Sequence, residues 1–326
     1  MPLAPPRGRY APSPTGLLHL GNARTALLAW LHIRALGGVF VLRSEDIDTS
    51  RSRPEAQAAN VQELRWLGLD WDEGPDVGGR FAPYVQSQRD GYYAAALEHL
   101  QPHLFPCYLS RKDLQSIASA PHGRSSVYGN AQRQANARLA ARKQAEGKTP
   151  SLRLRVPDDR VCVDDAVAGR HCWSLAEELG DVVLRRADGM WAYHLAVVVD
   201  DIAMNISHVL RADDLLPSTA AHLLLYRMLG QRPPRYSHVP LLLDQDGQRM
   251  AKRHGALTLQ ALQQRGVPAA RVVGWLAYSA GLLERPQPCR PYELLPSFRL
   301  EALRLQPYRF SEADWRWLLA TRSGEN

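Results

Sequence analysis

The chain opens on a short extended run, Arg9-Tyr10-Ala11-Pro12, followed by the turn residues Ser13-Pro14-Thr15-Gly16. From Gly21 onward, Asn22-Ala23-Arg24-Thr25-Ala26-Leu27-Leu28-Ala29-Trp30-Leu31 combines helix-forming residues with apolar positions at helical spacing. This predicts a helix, and Gly37-Gly38 stops it. Val39-Phe40-Val41-Leu42 is an unbroken apolar run, the pattern of a strand covered on both faces. Strand, helix and strand in this order predict a βαβ unit and a parallel sheet. The polar stretch Arg43-Ser44-Glu45-Asp46-Ile47-Asp48 then falls at the carboxyl end of the second strand, the edge where open α/β sheets bind ligands.

Further along, helical patterns cover residues 54–67 and 87–100. Residues 104–180 change character. They include NAQRQANARLAARKQAE at 130–146, a strongly helical stretch, and basic residues outnumber acidic ones between Arg111 and Arg155. This segment reads as an inserted, mostly α subdomain. Its basic run suits contact with RNA phosphates, and equally suits a solvated helical face. The α/β pattern resumes at Asp181-Val182-Val183-Leu184 and continues through His194–Val199 and Ile206–Leu210 to a helix at 216–229. Val239-Pro240-Leu241-Leu242-Leu243 reads as a further buried strand, followed by a polar loop and two helices from about 258 to 283. Pro286, Pro288, Pro291, Pro296 and Pro307 mark the remainder as a short irregular tail.

Composition narrows the class. Of 326 residues, 45% are hydrophobic and 22% charged, which excludes a disordered or collagen-like chain. At roughly 150 residues per domain, about two domains are expected. The formal net charge of +7 fits a polyanionic partner. The longest apolar stretch, Val272–Leu283, is about half of the ~20 residues a membrane span needs. The opening MPLAPPRGRY lacks the apolar core of a secretory signal. Cys107, Cys162, Cys172 and Cys289 are too few and too scattered for a disulfide framework, so a reduced, cytoplasmic protein without membrane contact is expected. Cys162 and Cys172 read as small buried apolar residues.

Two segments carry candidate chemistry. In Leu18-His19-Leu20-Gly21-Asn22, a histidine and a glycine sit between a strand end and a helix start. The helix N-terminus offers free N–H groups to phosphate, Gly21 permits close approach of a nucleotide, and His19 can donate a hydrogen bond. Alone, the segment also reads as a strand–turn–helix with one satisfied histidine. Downstream, Asp244-Gln245-Asp246-Gly247-Gln248-Arg249-Met250-Ala251-Lys252-Arg253-His254 places cations in a glycine-containing loop. Such a loop can bring a lysine to a triphosphate, or can be a solvated basic loop.

Together the two segments resemble the signature pair of class I aminoacyl-tRNA synthetases. His19-Leu20-Gly21-Asn22 stands at the HIGH motif and Arg249-Met250-Ala251-Lys252-Arg253 at the KMSKS motif. Arg9–Gly16, Leu42–Arg51, Trp191–Asp201 and Val209–Leu215 resemble glutamyl-tRNA synthetases more specifically, over residues about 7–280. Asn22 replaces the second histidine of the first motif, and Arg249, Ala251 and Arg253 replace the first lysine and both serines of the second; Lys252 keeps the key lysine. About 70 residues follow Lys252, so no anticodon-binding domain is expected. The chain thus resembles the truncated glutamyl-queuosine tRNA(Asp) synthetases.

The resemblance implies a Rossmann-like catalytic domain in two halves, 1–103 and 181–256, an inserted acceptor-type subdomain at 104–180, and a helical stem with an irregular tail at 257–326. It implies a monomer that activates L-glutamate with ATP and Mg²⁺, then attaches it to the queuosine of tRNA(Asp). Queuosine carries a cyclopentene diol that can stand in for the ribose diol of a tRNA 3′ end. By motif matching, Arg9, Ala11, Ser13, Glu45, Tyr193 and Arg211 bind glutamate. Arg9 and Arg211 suit its two carboxylates and Glu45 its ammonium. His19, Gly21, Asn22, Arg249, Met250 and Lys252 bind ATP, with His19 and Lys252 catalytic. Zinc is not expected. The family's Cys-x-Cys, Tyr, Cys set is not intact, since Cys107 is followed by Tyr108 and Leu109 and no cysteine neighbours Tyr128 in sequence. The competing readings are a short glutamyl-tRNA synthetase charging a 3′ end and a non-catalytic glutamate-binding paralogue.

Overall fold

The computed structural model of the chain describes residues 4–110, 112–114, 127–248, 250 and 257–320. Strand β1 (Arg7–Tyr10) leads into helix α1 (Leu20–Ala35), and strand β2 (Val39–Leu42) follows. The βαβ unit is present, with β1 and β2 parallel and Arg9 opposite Val41. Helix α1 is buried on most of its surface and belongs to the largest hydrophobic cluster. It therefore lacks the polar stripe of a surface helix. Gly8 allows the strand to meet it closely, since a Cβ there would lie 2.2 Å from Ile33 Cγ1. Helices α2 (Pro54–Trp66) and α3 (Asp90–His99) lie close to their expected spans.

The described residues of the 104–180 segment are not mostly helical. Strand β3 (Leu104–Cys107), helix α4 (Asn130–Ala145), strand β4 (Ser151–Leu154) and a hairpin of β5 (Arg160–Asp165) and β6 (Gly169–Ser174) follow one another. With β7 (Val182–Arg185), β3 and β4 form an antiparallel sheet in the order β3-β4-β7. Strands β4, β5 and β6 are short and much of their surface is exposed, so they lack the unbroken apolar run that marks a core strand, whereas β7 has one, Val182–Leu184, but joins this antiparallel sheet and not the parallel one. The hairpin also corrects the cysteine reading. Its register sets Cys162 opposite Cys172, and their sulfurs are bonded at 2.04 Å. Cys162 is exposed and Cys172 half-buried, so they are a cross-strand disulfide and not two buried apolar residues. Cys107 and Cys289 are the free, buried cysteines.

Helix α5 (Tyr193–Ala203), strand β8 (His208–Ala212), helix α6 (Thr219–Met228) and strand β9 (Arg235–Val239) restore the α/β alternation. The main sheet runs β2-β1-β8-β9 with every pair parallel, and Arg211 faces His238 across β8 and β9. Strand β10 (Leu242–Leu243), helices α7 (Leu259–Gln264) and α8 (Ala269–Ser279), strand β11 (Tyr308–Arg309) and helix α9 (Glu312–Leu319) complete the described chain. The tail expected to be irregular is tied back to the body. β11 pairs with β10, Trp275 donates its indole N–H to Asp314 at 2.9 Å, and Phe298, Phe310 and Leu318 enter the main core. Among the described residues no helix is long and apolar enough to cross a membrane.

Candidate active site

The carboxyl ends of β1, β2 and β8 open onto one cavity of about 470 Å³. All six residues expected to bind glutamate line it: Arg9, Ala11, Ser13, Glu45, Tyr193 and Arg211. His19 and Asn22 line it as well, and also border a smaller adjoining pocket that includes Gly21 and Met250. The sheet edge creates this meeting of distant residues, because β1 carries Arg9 beside the strand that carries Arg211, two hundred residues later. Arg249 and Lys252 lie outside the described residues.

His19 is the N-cap of α1. Its Nδ1 accepts from the backbone N–H of Gly21 at 3.1 Å and of Asn22 at 3.3 Å. A neutral ring with an accepting Nδ1 carries its proton on Nε2, the tautomer that donates. Gly21 makes room for that ring: a Cβ there would lie 3.0 Å from His19 Cε1. The Asn22 amide oxygen accepts from the His19 backbone N–H at 3.4 Å, completing a reciprocal cap. An antiparallel bridge joins His19 to Thr258, and Leu259 N–H donates to Leu18 O at 2.9 Å. The chain leaving the second signature segment is thus fastened to the first.

Beneath the cavity lies a charged cluster. The Arg43 side chain is 0% exposed and holds Asp201 Oδ1 at 2.7 Å and Glu45 Oε1 at 3.0 Å. Arg9 also meets Asp201, at 3.3 and 3.4 Å. Asp200, one residue earlier on α5, takes Arg89 Nε at 2.6 Å, Gln86 Nε2 at 2.8 Å and the Tyr93 hydroxyl. Burial pushes the Glu45 carboxyl above its ordinary range, against the pull of Arg43 and Arg9. For Asp201 burial acts the same way, but the two arginines outweigh it and its pKa is lowered. Removing one member of such a cluster strands its partners in the interior. Asp201→Ala is therefore expected to lower stability by about 3–5 kcal/mol. Urea unfolding of the variant checks this, and a loss below about 1 kcal/mol contradicts it.

Arg211 differs from Arg9 and Arg43. Its guanidinium donates to His238 Nε2 at 2.9 Å, Thr219 Oγ1 at 3.0 Å, Leu215 O at 3.3 Å and His222 Nδ1 at 3.3 Å. None of these is a carboxylate. The histidines around it are held neutral, because burial and the arginine charge lower the pKa of His222 and His238, and that of His194 to about 4. The pocket therefore contains a buried, hydrogen-bonded cation whose charge no acid in contact balances, among the described residues. An anionic ligand group supplies what is missing.

In the antiparallel sheet the fold brings Cys107 to Tyr128, with Sγ and the phenol oxygen 3.3 Å apart. Leu109 packs in the same small cluster. Among the described residues no group of three or more His, Cys, Asp or Glu side chains is placed to hold a metal ion.

Sequence reasoning quoted Arg43 and Asp201 within its motifs but gave them no role, and it missed His222, His238 and Asp165 altogether. The signal for Arg43 and Asp201 was present in their charge. Each falls in or beside an apolar run, where a charge requires a partner.

Residues 7–280 match the family described as tRNA synthetases class I (E and Q), catalytic domain. A glutamyl-Q tRNA(Asp) synthetase of Symbiobacterium thermophilum is 52% identical over 93% of this chain and 95% of its own. A glutamate–tRNA ligase of Acidithiobacillus ferrooxidans is 45% identical over 83% of this chain and 57% of its own. The crystal structure of a glutamate tRNA ligase from Elizabethkingia meningosepticum in complex with its amino acid gives a TM-score of 0.84 at 28% identity, over 96% of this chain and 68% of that one. The chain belongs to the class I tRNA synthetases of the E and Q type, whose catalytic domain it carries.

Proposed function

We propose that the protein is a ligase that activates L-glutamate with ATP and transfers it to the queuosine wobble nucleoside of tRNA(Asp). The observation that carries this reading is the 52% identity to a glutamyl-Q tRNA(Asp) synthetase along 95% of that relative. The chemistry of the cavity supports it. Arg9 and Arg211 take the two carboxylates of glutamate, Glu45 takes its ammonium, the Tyr193 hydroxyl donates to it, and Ala11 and Ser13 form the wall. In the first step an oxygen of the substrate α-carboxylate attacks the α-phosphorus of ATP, the bond to the bridging oxygen breaks, and pyrophosphate leaves. No protein nucleophile takes part. His19, through Nε2–H, and Lys252 stabilise charge on the phosphates, while Gly21, Asn22, Arg249 and Met250 shape the nucleotide site. Mg²⁺ accompanying ATP would add positive charge at the phosphates. In the second step a hydroxyl of the queuosine diol attacks the acyl carbon, the bond from that carbon to the phosphate oxygen breaks, and AMP leaves, its phosphate taking up the hydroxyl proton. The protein acts as a monomer, in the cytoplasm where ATP and tRNA are found, and its working parts follow the division at residues 103 and 256, with the inserted part extending past 180 to take in β7.

Transfer of labelled glutamate to tRNA(Asp) with and without queuosine, and to tRNA(Glu), tests the reading. Label on queuosine-containing tRNA(Asp) alone is expected. Label on the 3′ end of tRNA(Glu) makes the protein a short glutamyl-tRNA synthetase, and no label with no glutamate-dependent pyrophosphate exchange makes it a binding paralogue.

A further inference from the structure

The tip of the inserted hairpin docks on β9, behind the pocket arginine Arg211. Asp165 ends β5 and is buried against β9, where its Oδ2 lies 2.6 Å from His238 Nδ1. Its Oδ1 accepts three backbone N–H groups, from His238 at 2.9 Å, Val167 at 3.0 Å and Ala168 at 2.8 Å. Ala166 N–H adds a bond to Tyr236 O at 2.9 Å, so the turn docks on β9 by backbone and side chain together. On the far side of the imidazole, His238 Nε2 accepts from Arg211 Nε at 2.9 Å.

We propose that Asp165 and His238 are positioning residues for glutamate recognition: Asp165 fixes the tautomer of His238, and His238 thereby fixes the guanidinium of Arg211 for a substrate carboxylate. This rests on the reading of Arg211 as a carboxylate-binding residue.

The argument follows from donor and acceptor capacity. Asp165 Oδ1 faces three backbone donors, and an ionised carboxylate can only accept, so His238 Nδ1 must donate to Oδ2. Burial raises the carboxyl pKa, but the bond from His238 and those from backbone amides outweigh it and hold it at about 2. His238 then keeps its proton on Nδ1. Its Nε2 is left with a lone pair, and Arg211, a donor at every nitrogen, requires one there. A carboxylate that sets a histidine tautomer is a known device for orienting the group beyond it. Here that group is a cation whose charge no contacting acid balances. A hydrogen bond from a neutral imidazole holds it in place without neutralising it, whereas a carboxylate in the same position would compete with the substrate.

The chain of contacts also gives the insertion a second task. Residue 165 belongs to the segment that interrupts the α/β pattern, while His238 and Arg211 lie on neighbouring strands of the main sheet. A hairpin outside the sheet thus supports, through His238, an arginine that lines the pocket.

Asp165→Asn separates this from a merely structural role. An amide has one accepting oxygen, so one set of donors must face its NH₂ group. If the NH₂ group faces His238, the proton moves to Nε2 and opposes Arg211. Pyrophosphate exchange with L-glutamate and ATP is the assay. Asp165→Asn and His238→Leu are expected to raise the KM for glutamate about tenfold or more while leaving the KM for ATP within about twofold. His238→Gln, whose amide oxygen can replace Nε2 as acceptor, is expected to stay within about threefold of the wild type. Nitrogen-15 NMR of the histidines is expected to show the Nδ1–H tautomer for His238 in the wild type and its loss in Asp165→Asn. Should Asp165→Asn fail to fold, the contrast between His238→Gln and His238→Leu decides. Unmoved glutamate KM values in folded variants, or glutamate and ATP constants rising together, overturn the relay alone. Absence of glutamate-dependent exchange in the wild type overturns the assignment of the pocket, and the relay with it.

Discussion

Arg211→Leu is expected to lower kcat/KM for glutamate by roughly a hundred- to a thousandfold, the cost of removing one partner from a buried, hydrogen-bonded charge pair. The size follows from what surrounds the residue. Its donors are already directed by His238, His222, Thr219 and Leu215, and its charge meets no carboxylate among them. A cation held in this way has little left to reorganise when an anion arrives, so most of the gross attraction is kept as binding. Arg211→Lys tests geometry against charge. Lysine keeps the charge but cannot engage four directed acceptors from one planar fork, and a loss of about tenfold is expected. The same pair of variants should change selectivity. Glutamine has nearly the shape of glutamate without its second charge, and Arg211→Leu should narrow the gap between the two amino acids if Arg211 meets the side-chain carboxylate. Arg9 offers less of its charge, because Asp201 already faces it. Pyrophosphate exchange with each amino acid measures all of this. A leucine variant within threefold of the wild type removes Arg211 from the site.

The other large effect is expected at Lys252. Lys252→Ala should reduce glutamate-dependent exchange by about a hundred- to a thousandfold, the range seen when one preorganised group that stabilises transition-state charge is removed. The KM for glutamate should change little, because the lysine acts on phosphate charge that develops during displacement. Its neighbours show where the segment belongs. Met250 lines the small pocket with His19, Gly21 and Asn22, and Thr258 is bridged to His19. Met250 and Thr258, which bracket Lys252 in sequence, therefore both lie at the N-terminal end of α1, more than two hundred residues from it along the chain. Exchange at the wild-type rate in folded Lys252→Ala protein ends the assignment of this loop to ATP. A rise in glutamate KM with kcat preserved moves it to the amino-acid side.

The parts of the molecule that were legible in the sequence are those whose signal is local. The apolar run Val39–Leu42, the helix after Gly21 and the polar residues that follow each strand end are read within a dozen residues, and they place the sheet and its active edge. The six pocket residues were reached through motifs, five of them in strands or just after strand ends and Tyr193 at the start of α5, and they line one cavity. What was not legible depends on pairings that no short window contains. Cys162 and Cys172 meet because a turn sets β5 against β6, and the inward face of β5 that accompanies them is only two residues long, Val161 and Val163. Asp165 and His238 look like ordinary surface residues until β9 takes its place beside the hairpin. The inserted segment misled for a related reason. Its one long helix has strong intrinsic propensity, whereas its short strands are stabilised by each other and leave little mark on composition.

The order of the main sheet has a consequence for how the chain reaches this structure. β1 lies between β2, which follows it closely, and β8, which begins some two hundred residues later, and β9 closes the far edge. During synthesis the βαβ unit emerges early with one sheet edge bare. The β5–β6 hairpin, whose contacts are local, has no long loop to close. The pairing of β1 with β8 must wait until the intervening chain has been made, and it carries the entropy of closing that long loop. Arg9 and Arg211 are brought together only in this late step, and Asp165 finds His238 only once β9 has been added. The pocket thus depends on the longest-range association in the main sheet, and it is expected to form after most of the secondary structure.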